Sequence, residues 1–394
     1  MSAMDSRTRC FVAYPSSLPG KGDAIEAAVL ELNQGGIVQA TSWASLAVTG
    51  RPIIGAICEE IRNSALVIAD ITNLNPNVLF ELGYAVTLPR RLWLIFNPKV
   101  AGAKVLFDRF QLLTTVGNSP YSNSREIIDR FYKEEPYNNL DRTLLAEFAN
   151  SATVTTKQGS ILYIKPEEST EAVMRITRRV ASAPIPATID DPKEIGVQPL
   201  EWYLASVRAA KAVICHFLPE TYDDVRISNA KNAFVAGLAF GLGKPLLVLA
   251  HKPYQSPIDY RDLLRVHEDA KQAEVIYQDW LKPILDAGRE LEERIDLRAQ
   301  AMAAQRGLLD LNVGDPIAEY ESDELFEYFI PTSAYADALK GQYSIFVGRK
   351  GTGKTATLMK VADQLRSDPR NRICIIKPVD YELEGLLSIL RACY

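Results

Sequence analysis

The feature that most restricts how this chain can fold is an internal duplication. The segment NPNVLFELGYAVTLPRRLWLI, beginning at Asn75, is answered by NAKNAFVAGLAFGLGKPLLVL, beginning at Asn229. Asn75, Phe80, Gly83, Ala85 and Leu88 correspond to Asn229, Phe234, Gly237, Ala239 and Leu242 at one constant offset of 154 (229 − 75). Upstream, FVAYP (Phe11 to Pro15) resembles LYIKP (Leu162 to Pro166). Pro52, Ile53 and Ile57 are answered by Pro199, Leu200 and Leu204, and ALVI from Ala65 by AVIC from Ala212. A repeat of this length predicts two similar domains in tandem. The strand before the repeat aligns at an offset of 147 (212 − 65), so the second copy has a longer intervening loop, where insertions are tolerated.

Each copy alternates strand and helix. In the first, Cys10 to Tyr14 and Gly35 to Thr41 read as strands around an amphipathic helix, Ala24 to Leu32. Pro52 opens a helix with Ile53, Ile57 and Ile61 on one side. Ala65 to Ala69 has the length and β-branching of a buried parallel strand, and Arg91 to Phe96 makes another. Strands and helices in this rhythm predict βαβ units and parallel sheets covered on both faces. After Asp70, Asn75 can cap a helix and Pro76 suits its first position, where a missing N–H costs nothing. Val78, Leu82 and Ala85 form a sheet-facing stripe, which leaves Asn77, Glu81 and Tyr84 on another face. A carboxylate just beyond the carboxyl end of a central strand stands where open α/β sheets place ligands.

The copies differ where chemistry would be expected. Glu81 is replaced by Val235, and Asp70 aligns with Phe217. The second copy keeps the strand, the cap and the packed helix while losing both acids, and so reads as a scaffold or a ligand-sensing domain.

These patterns divide the chain into a first α/β domain, 1–118, and a linker, 119–158, with a helix at Ser124 to Glu134 and another near Leu144. A degenerate second α/β copy spans 159–255, in which APIPATIDDP from Ala183 reads as a surface loop. A helical connector spans 256–330, read as a hairpin from Asp259 to Leu309 and followed by an acidic and aromatic stretch, Asp310 to Phe329. The start of a further module occupies 331–394. At 394 residues the chain exceeds a single ordinary core. With 44 basic and 49 acidic side chains, a net charge of −5 carries no electrostatic footprint for nucleic acid. Five scattered cysteines predict reduced thiols, only three histidines argue against a multi-histidine metal centre, and no apolar run suggests a membrane span, so a cytoplasmic location is expected.

Near the C-terminus, the apolar stretch Tyr343 to Val347 is followed by Gly348, Arg349, Lys350, Gly351, Thr352, Gly353, Lys354 and Thr355, then by a helical pattern from Ala356 to Leu365. This is a complete G-x-x-x-x-G-K-[ST] in the strand-to-helix setting it requires. Gly348, Lys350, Gly351 and Gly353 would wrap the phosphates of ATP or GTP with backbone N–H groups. Lys354 would reach the β and γ phosphates, and Thr355 would ligate Mg²⁺. A further strand is predicted at Arg372 to Lys377, but no Walker-B acid is evident before Tyr394, so the module reads as the truncated beginning of an NTPase.

The stretch ADITNLNPNVLFELGYA, with Asp70 and Glu81, resembles the signature of nucleoside 2-deoxyribosyltransferase-like proteins and of their TIR-like relatives. The resemblance implies flavodoxin/TIR-like parallel-sheet domains and chemistry at a ribosyl anomeric carbon. Glu81 would act as nucleophile or charge stabiliser, and Asp70 would protonate the base or orient the sugar. Breaking an N-glycosidic bond passes through an oxocarbenium-like state, which a nearby carboxylate stabilises. Asn77 could hold a ribose hydroxyl, Tyr14 and Ser16 lie on the same sheet edge, and Trp43 could stack on a base. The combination with a P-loop module resembles bacterial anti-phage defence proteins. It implies an N-glycosidase-like effector acting on NAD⁺ or a nucleoside, working as a homo-oligomer and released by an activating partner or phage-derived trigger. A non-catalytic nucleotide sensor and a nucleoside deoxyribosyltransferase are the alternatives.

Overall fold

A computed structural model of the chain describes residues 7–15, 22–46, 50–149, 157–194, 196–222, 225–255, 260–305, 332–340 and 354–366, with 371 and 373. It forms two compact units, 1–291 and 292–394. The first unit contains both copies of the duplication. Its first half runs β1 (Thr8–Ala13), α1 (Asp23–Gln34), β2 (Val38–Ser42), a single 3₁₀ turn (Trp43–Ser45), α2 (Ile53–Asn63), β3 (Leu66–Asp70), α3 (Pro76–Val86), β4 (Arg91–Phe96), α4 (Ala103–Phe110), β5 (Asn118–Pro120), α5 (Ser124–Glu134) and α6 (Leu144–Ala149). The second half runs β6 (Ile161–Ile164), α7 (Glu171–Ala181), β7 (Ala187–Asp190), α8 (Leu200–Ala209), β8 (Ala212–Phe217), α9 (Val225–Gly241), β9 (Leu246–His251) and β10 (Leu264–His267). A helix, α10 (Ala270–Gln305), follows.

All strand pairs are parallel, in two five-stranded sheets ordered β2-β1-β3-β4-β5 and β10-β9-β8-β6-β7. Numbered within its own half, the second order is the first one reversed, so both copies share the doubly wound 2-1-3-4-5 topology. Because a parallel sheet is covered on both faces, its central strands are apolar except near their carboxyl ends, where Asp70 and His216 stand. β3 and β8 are buried at every residue.

The sheets bury different cores on their two faces. Phe11, Val67 and Leu94 of the first sheet share one continuous core with Leu162, Val213 and Val248 of the second, filled by α2, α3, α8 and α9. The outer face of the first sheet is covered by Ile25 and Leu32 of α1 and by Ile127 and Phe131 of α5. That of the second is covered by Ile176 and Val180 of α7 and by Ala273, Tyr277 and Leu281 of α10.

Four expectations are corrected here. Residues 118–134 supply the fifth strand and a covering helix of the first domain, and are not a linker. ATID, inside the predicted loop, is strand β7, paired with β6 from Ile161↔Ala187 to Ile164↔Asp190. The second domain extends past residue 255, because β10 pairs with β9 and the first turns of α10 cover the sheet. The predicted hairpin is one helix with Pro283 inside it. Local pattern cannot separate these cases, since a four-residue strand among turn residues gains its identity from the strand beside it.

The halves meet along α3 and α9, where glycines remove the side chains that would hold two helices apart. A Cβ added at Gly83 would lie 2.1 Å from the Phe234 carbonyl oxygen, and one at Gly237 would lie 2.1 Å from that of Phe80. Around this contact, Phe80 stacks on Tyr260 with centroids 5.0 Å apart, and Tyr84 meets Phe240 at 6.1 Å. In the second unit, α11 (Ser333–Leu339) and α12 (Lys354–Arg366) pack together. No described helix is long and apolar enough to cross a membrane.

Candidate functional site

Of the predicted first-half residues, Tyr14 and Asp70 stand at the carboxyl ends of β1 and β3, between which strand order reverses, Trp43 follows β2, and Asn77 and Glu81 lie in the first two turns of α3. Helix α3 is placed by its cap: Asn75 Oδ1 accepts from the backbone N–H groups of Asn77 at 2.9 Å and Val78 at 3.4 Å, with Pro76 next in line. Such a cap stabilises a helix by about 1 kcal/mol. The preceding residue, Leu74, is fully buried with φ at 47°, a left-handed conformation that is costly for a branched side chain.

Asp70 ends β3 and is 5% exposed. Its Oδ1 accepts from the Thr72 backbone N–H at 3.1 Å and from the Thr72 hydroxyl, whose oxygen accepts the Asn97 N–H at 2.9 Å. The acid thereby ties the ends of β3 and β4 together and fixes the turn that leads into α3. Burial, followed by the charge of Asp70, raises the Tyr121 phenol above its ordinary range.

Glu81, in the second turn of α3, is only 4% exposed. Glu81 and Tyr84 of the predicted shared face both act with Cys58 of α2: burial and then the Glu81 charge push the Cys58 thiol up to about 12, and burial and then Cys58 raise the Tyr84 phenol, whose ring also meets Phe240 of α9. Asn77, one turn before Glu81, is half-buried, and its side-chain oxygen has no hydrogen-bond partner. Tyr14 is 6% exposed at the end of β1, donates its hydroxyl proton to Glu26, and stands 6.1 Å from the Trp43 ring. Ser16 lies outside the described residues, as do Gly348, Lys350, Gly351 and Gly353, the strand predicted at Tyr343 to Val347, that predicted at Arg372 to Lys377 apart from Ile373, and the stretch 310–329. Lys354 and Thr355 open α12, two residues before the predicted helix start.

The second half does not merely lack the two acids. Asn229 sits inside α9, not at its start, and its side chain accepts from the Leu218 N–H at 3.2 Å and donates to the Leu218 carbonyl at 2.8 Å, so the predicted cap is instead a loop tie. At the position matching Asn77 stands Lys231, 3% exposed, whose ammonium donates to Asp190 Oδ2 at 2.8 Å. Tyr203 donates to the same oxygen at 2.9 Å, and Lys165 pairs with Asp191 beside it.

All three histidines meet at the ends of β8, β9 and β10. Tyr163 OH lies 3.1 Å from His216 Nδ1, His216 Nε2 lies 2.9 Å from His267 Nε2, and His251 stacks on His267 at 5.1 Å. Burial, then the neighbouring histidine charges, hold His216 well below its ordinary range and His267 near 4. Sequence reading missed both clusters. The missing signal for Asp190 was its place at the end of β7, matching β2 in the first half. For the histidines it was the two-residue alternation that continues from Ile214 to His216 and from Leu249 to His251.

Compared with protein-family models and with curated proteins, the chain matches none.

Proposed function

We propose that the first half is an N-glycosidase-like effector that cleaves the base-to-ribose bond of NAD⁺ or a related nucleoside. The observation that carries this reading is a carboxylate held nearly free of water in the second turn of the helix that follows the central strand of a doubly wound sheet, one turn after an asparagine oxygen that lacks a partner. In such surroundings an anion interacts with a developing oxocarbenium far more strongly than in water. Glu81 stabilises that charge or attacks the anomeric carbon to give a glycosyl ester, which water resolves. Asn77 accepts from a sugar hydroxyl, and Tyr14 and Trp43 supply the aromatic wall for the base. Asp70 acts as a positioning residue, through Thr72 and the turn into α3.

The sequence from Gly348 to Thr355 supports the accompanying proposal of a P-loop NTPase module that controls this activity. It would bind ATP or GTP with Mg²⁺, Lys354 meeting the phosphates and Thr355 the metal, in a defence assembly of several copies released by a trigger.

The test is incubation with NAD⁺ and a panel of nucleosides, wild type beside Glu81→Gln, with chromatography of the freed base. Base release by wild type alone supports the enzyme, and exchange onto an added second base supports a transferase. Ligand bound and recovered intact from both proteins overturns catalysis in favour of a nucleotide sensor.

A further inference from the structure

We propose that Arg226 of the second half is a positioning residue for the first: it grips the turn that leads into α3 and so sets where that helix, with Asn77 and Glu81, begins. Its effect on turnover rests on the role proposed above for Glu81, whereas the grip itself does not.

The turn needs holding. Leu74 is fully buried with φ at 47°, and a residue other than glycine keeps such a conformation only where its neighbours are tied. Ties stand on both sides of it. Thr72 is bound to Asp70 and to the Asn97 N–H, and Asn75 caps α3. Between them the Asn73 carbonyl accepts from Arg226 Nη2 at 3.1 Å, across 153 positions of chain. Of these three ties, the last comes from the other copy.

Divergence between the copies supplies it. Helix α9 begins at Val225, five residues (230 − 225) before the position that answers Pro76, the first residue of α3. Asn229, which answers the Asn75 cap, bonds both the N–H and the carbonyl of Leu218, so the gained turn of α9 is fastened just past the end of β8. Arg226 stands on that gained turn. The close docking of α3 on α9 at Gly83 and Gly237 leaves the helices little freedom to slide, and the guanidinium therefore meets Asn73 at one fixed place. Arg226 is exposed, and a hydrogen bond in that setting adds little to global stability. It acts instead on a strained turn, where relaxation would shift the start of α3 and the carboxylate it carries. A misplacement of about 1 Å at a reacting group can cost roughly a hundredfold in rate. The copy that lost both acids thus keeps a part in the site of the copy that retained them.

The test is hydrogen exchange of the whole chain, read by mass spectrometry on a peptide covering 71–79 and, for reference, one covering β1. In the first, the N–H groups of Thr72, Leu74, Asn77 and Val78 are bonded within the turn and the cap. Arg226→Ala is expected to speed their exchange about fivefold, with β1 and the melting temperature little changed. Arg226→Lys, which keeps a donor, is expected to restore protection. With NAD⁺ or a nucleoside that the wild type cleaves, Arg226→Ala is expected to lower kcat several-fold with KM little changed, and Arg226→Lys to recover it. Faster exchange in 71–79 without base release from any of the proteins supports the grip and counts against the chemistry at Glu81. Unchanged exchange in 71–79, exchange that quickens equally in β1, or a lysine variant as deficient as alanine overturns the proposal. Base release that persists undiminished in Arg226→Ala overturns the positioning role even where exchange quickens.

Discussion

Gly83 and Gly237 are reciprocal: each lies against the backbone carbonyl of the phenylalanine three residues before the other. The equivalent residues of the two copies exchange partners, as the two sides of an isologous dimer interface do. The duplication therefore reproduces, within one chain, the contact of a symmetric pair, and the helix that bears Glu81 is also half of that contact. Close backbone approach is the physical reason for both glycines.

Alanine at either position is expected to destabilise the protein by about 2 kcal/mol or more, since carbonyl oxygen occupies the space that the methyl group needs. Gly55→Ala, in α2 with open space around it, is expected to stabilise by about 0.5–1 kcal/mol. Urea denaturation midpoints of the three variants check the contrast.

Thr72→Val removes a hydroxyl that donates to Asp70 and accepts from the Asn97 N–H. Leaving that N–H unsatisfied is expected to cost about 1–3 kcal/mol. If Asp70 positions α3, the variant also lowers turnover of any ribosylated substrate more than it raises KM, and Thr72→Ser restores both. Steady-state kinetics beside a thermal melt separates the positioning role from general destabilisation.

Breaking the Lys231–Asp190 pair from one side strands a buried charge. Lys231→Met is expected to cost about 3–5 kcal/mol, whereas Lys231→Met together with Asp190→Leu is expected to recover much of it. A double-mutant cycle measured by denaturant unfolding shows whether the coupling is this large.

Stability is expected to fall on acidification through the histidine cluster. The native protein holds His267 near 4, by burial and by the charge of His251, whereas an unfolded histidine titrates near 6.5. Between those values the unfolded chain binds more protons, so stability present above pH 6.5 is lost as pH falls toward 4, by up to roughly 1.4 kcal/mol per pH unit for each such proton. His216 acts in the same direction, with His251, Glu268 and Asp269 the nearby titrating groups. His267→Asn is expected to flatten the slope of melting temperature against pH.

Cys58 reports on Glu81. With its thiol pushed up to about 12, Cys58 is expected to resist alkylation by iodoacetamide at pH 8 in the folded protein and to react on unfolding. Mass spectrometry of the modified peptide across a pH series, wild type against Glu81→Gln, is expected to show earlier modification in the variant, because one of the two causes has been removed.

Features that depend on short stretches were legible in the sequence. The strand at Leu66–Asp70, the Asn75 cap with Pro76 behind it, and the repeat that pairs Gly83 with Gly237 follow from spacing and local hydrogen bonding. So does the presence of an acid in the first copy where the second has Val235. The same reasoning failed at Ala187–Asp190, where turn residues surround a strand that exists because β6 offers it a ladder.

The amino-acid order alone determined that two βαβ domains would form, because apolar periodicity and capping act within a few residues of chain. Only the tertiary structure decided that Lys231 would meet Asp190 across 41 positions, and that His216 would meet His267 across 51. It also decided that Glu81 would be buried. Each of these depends on strand register and on the docking of α3 against α9. Register and docking are fixed by the packing of the whole core, and no single stretch of the chain encodes them.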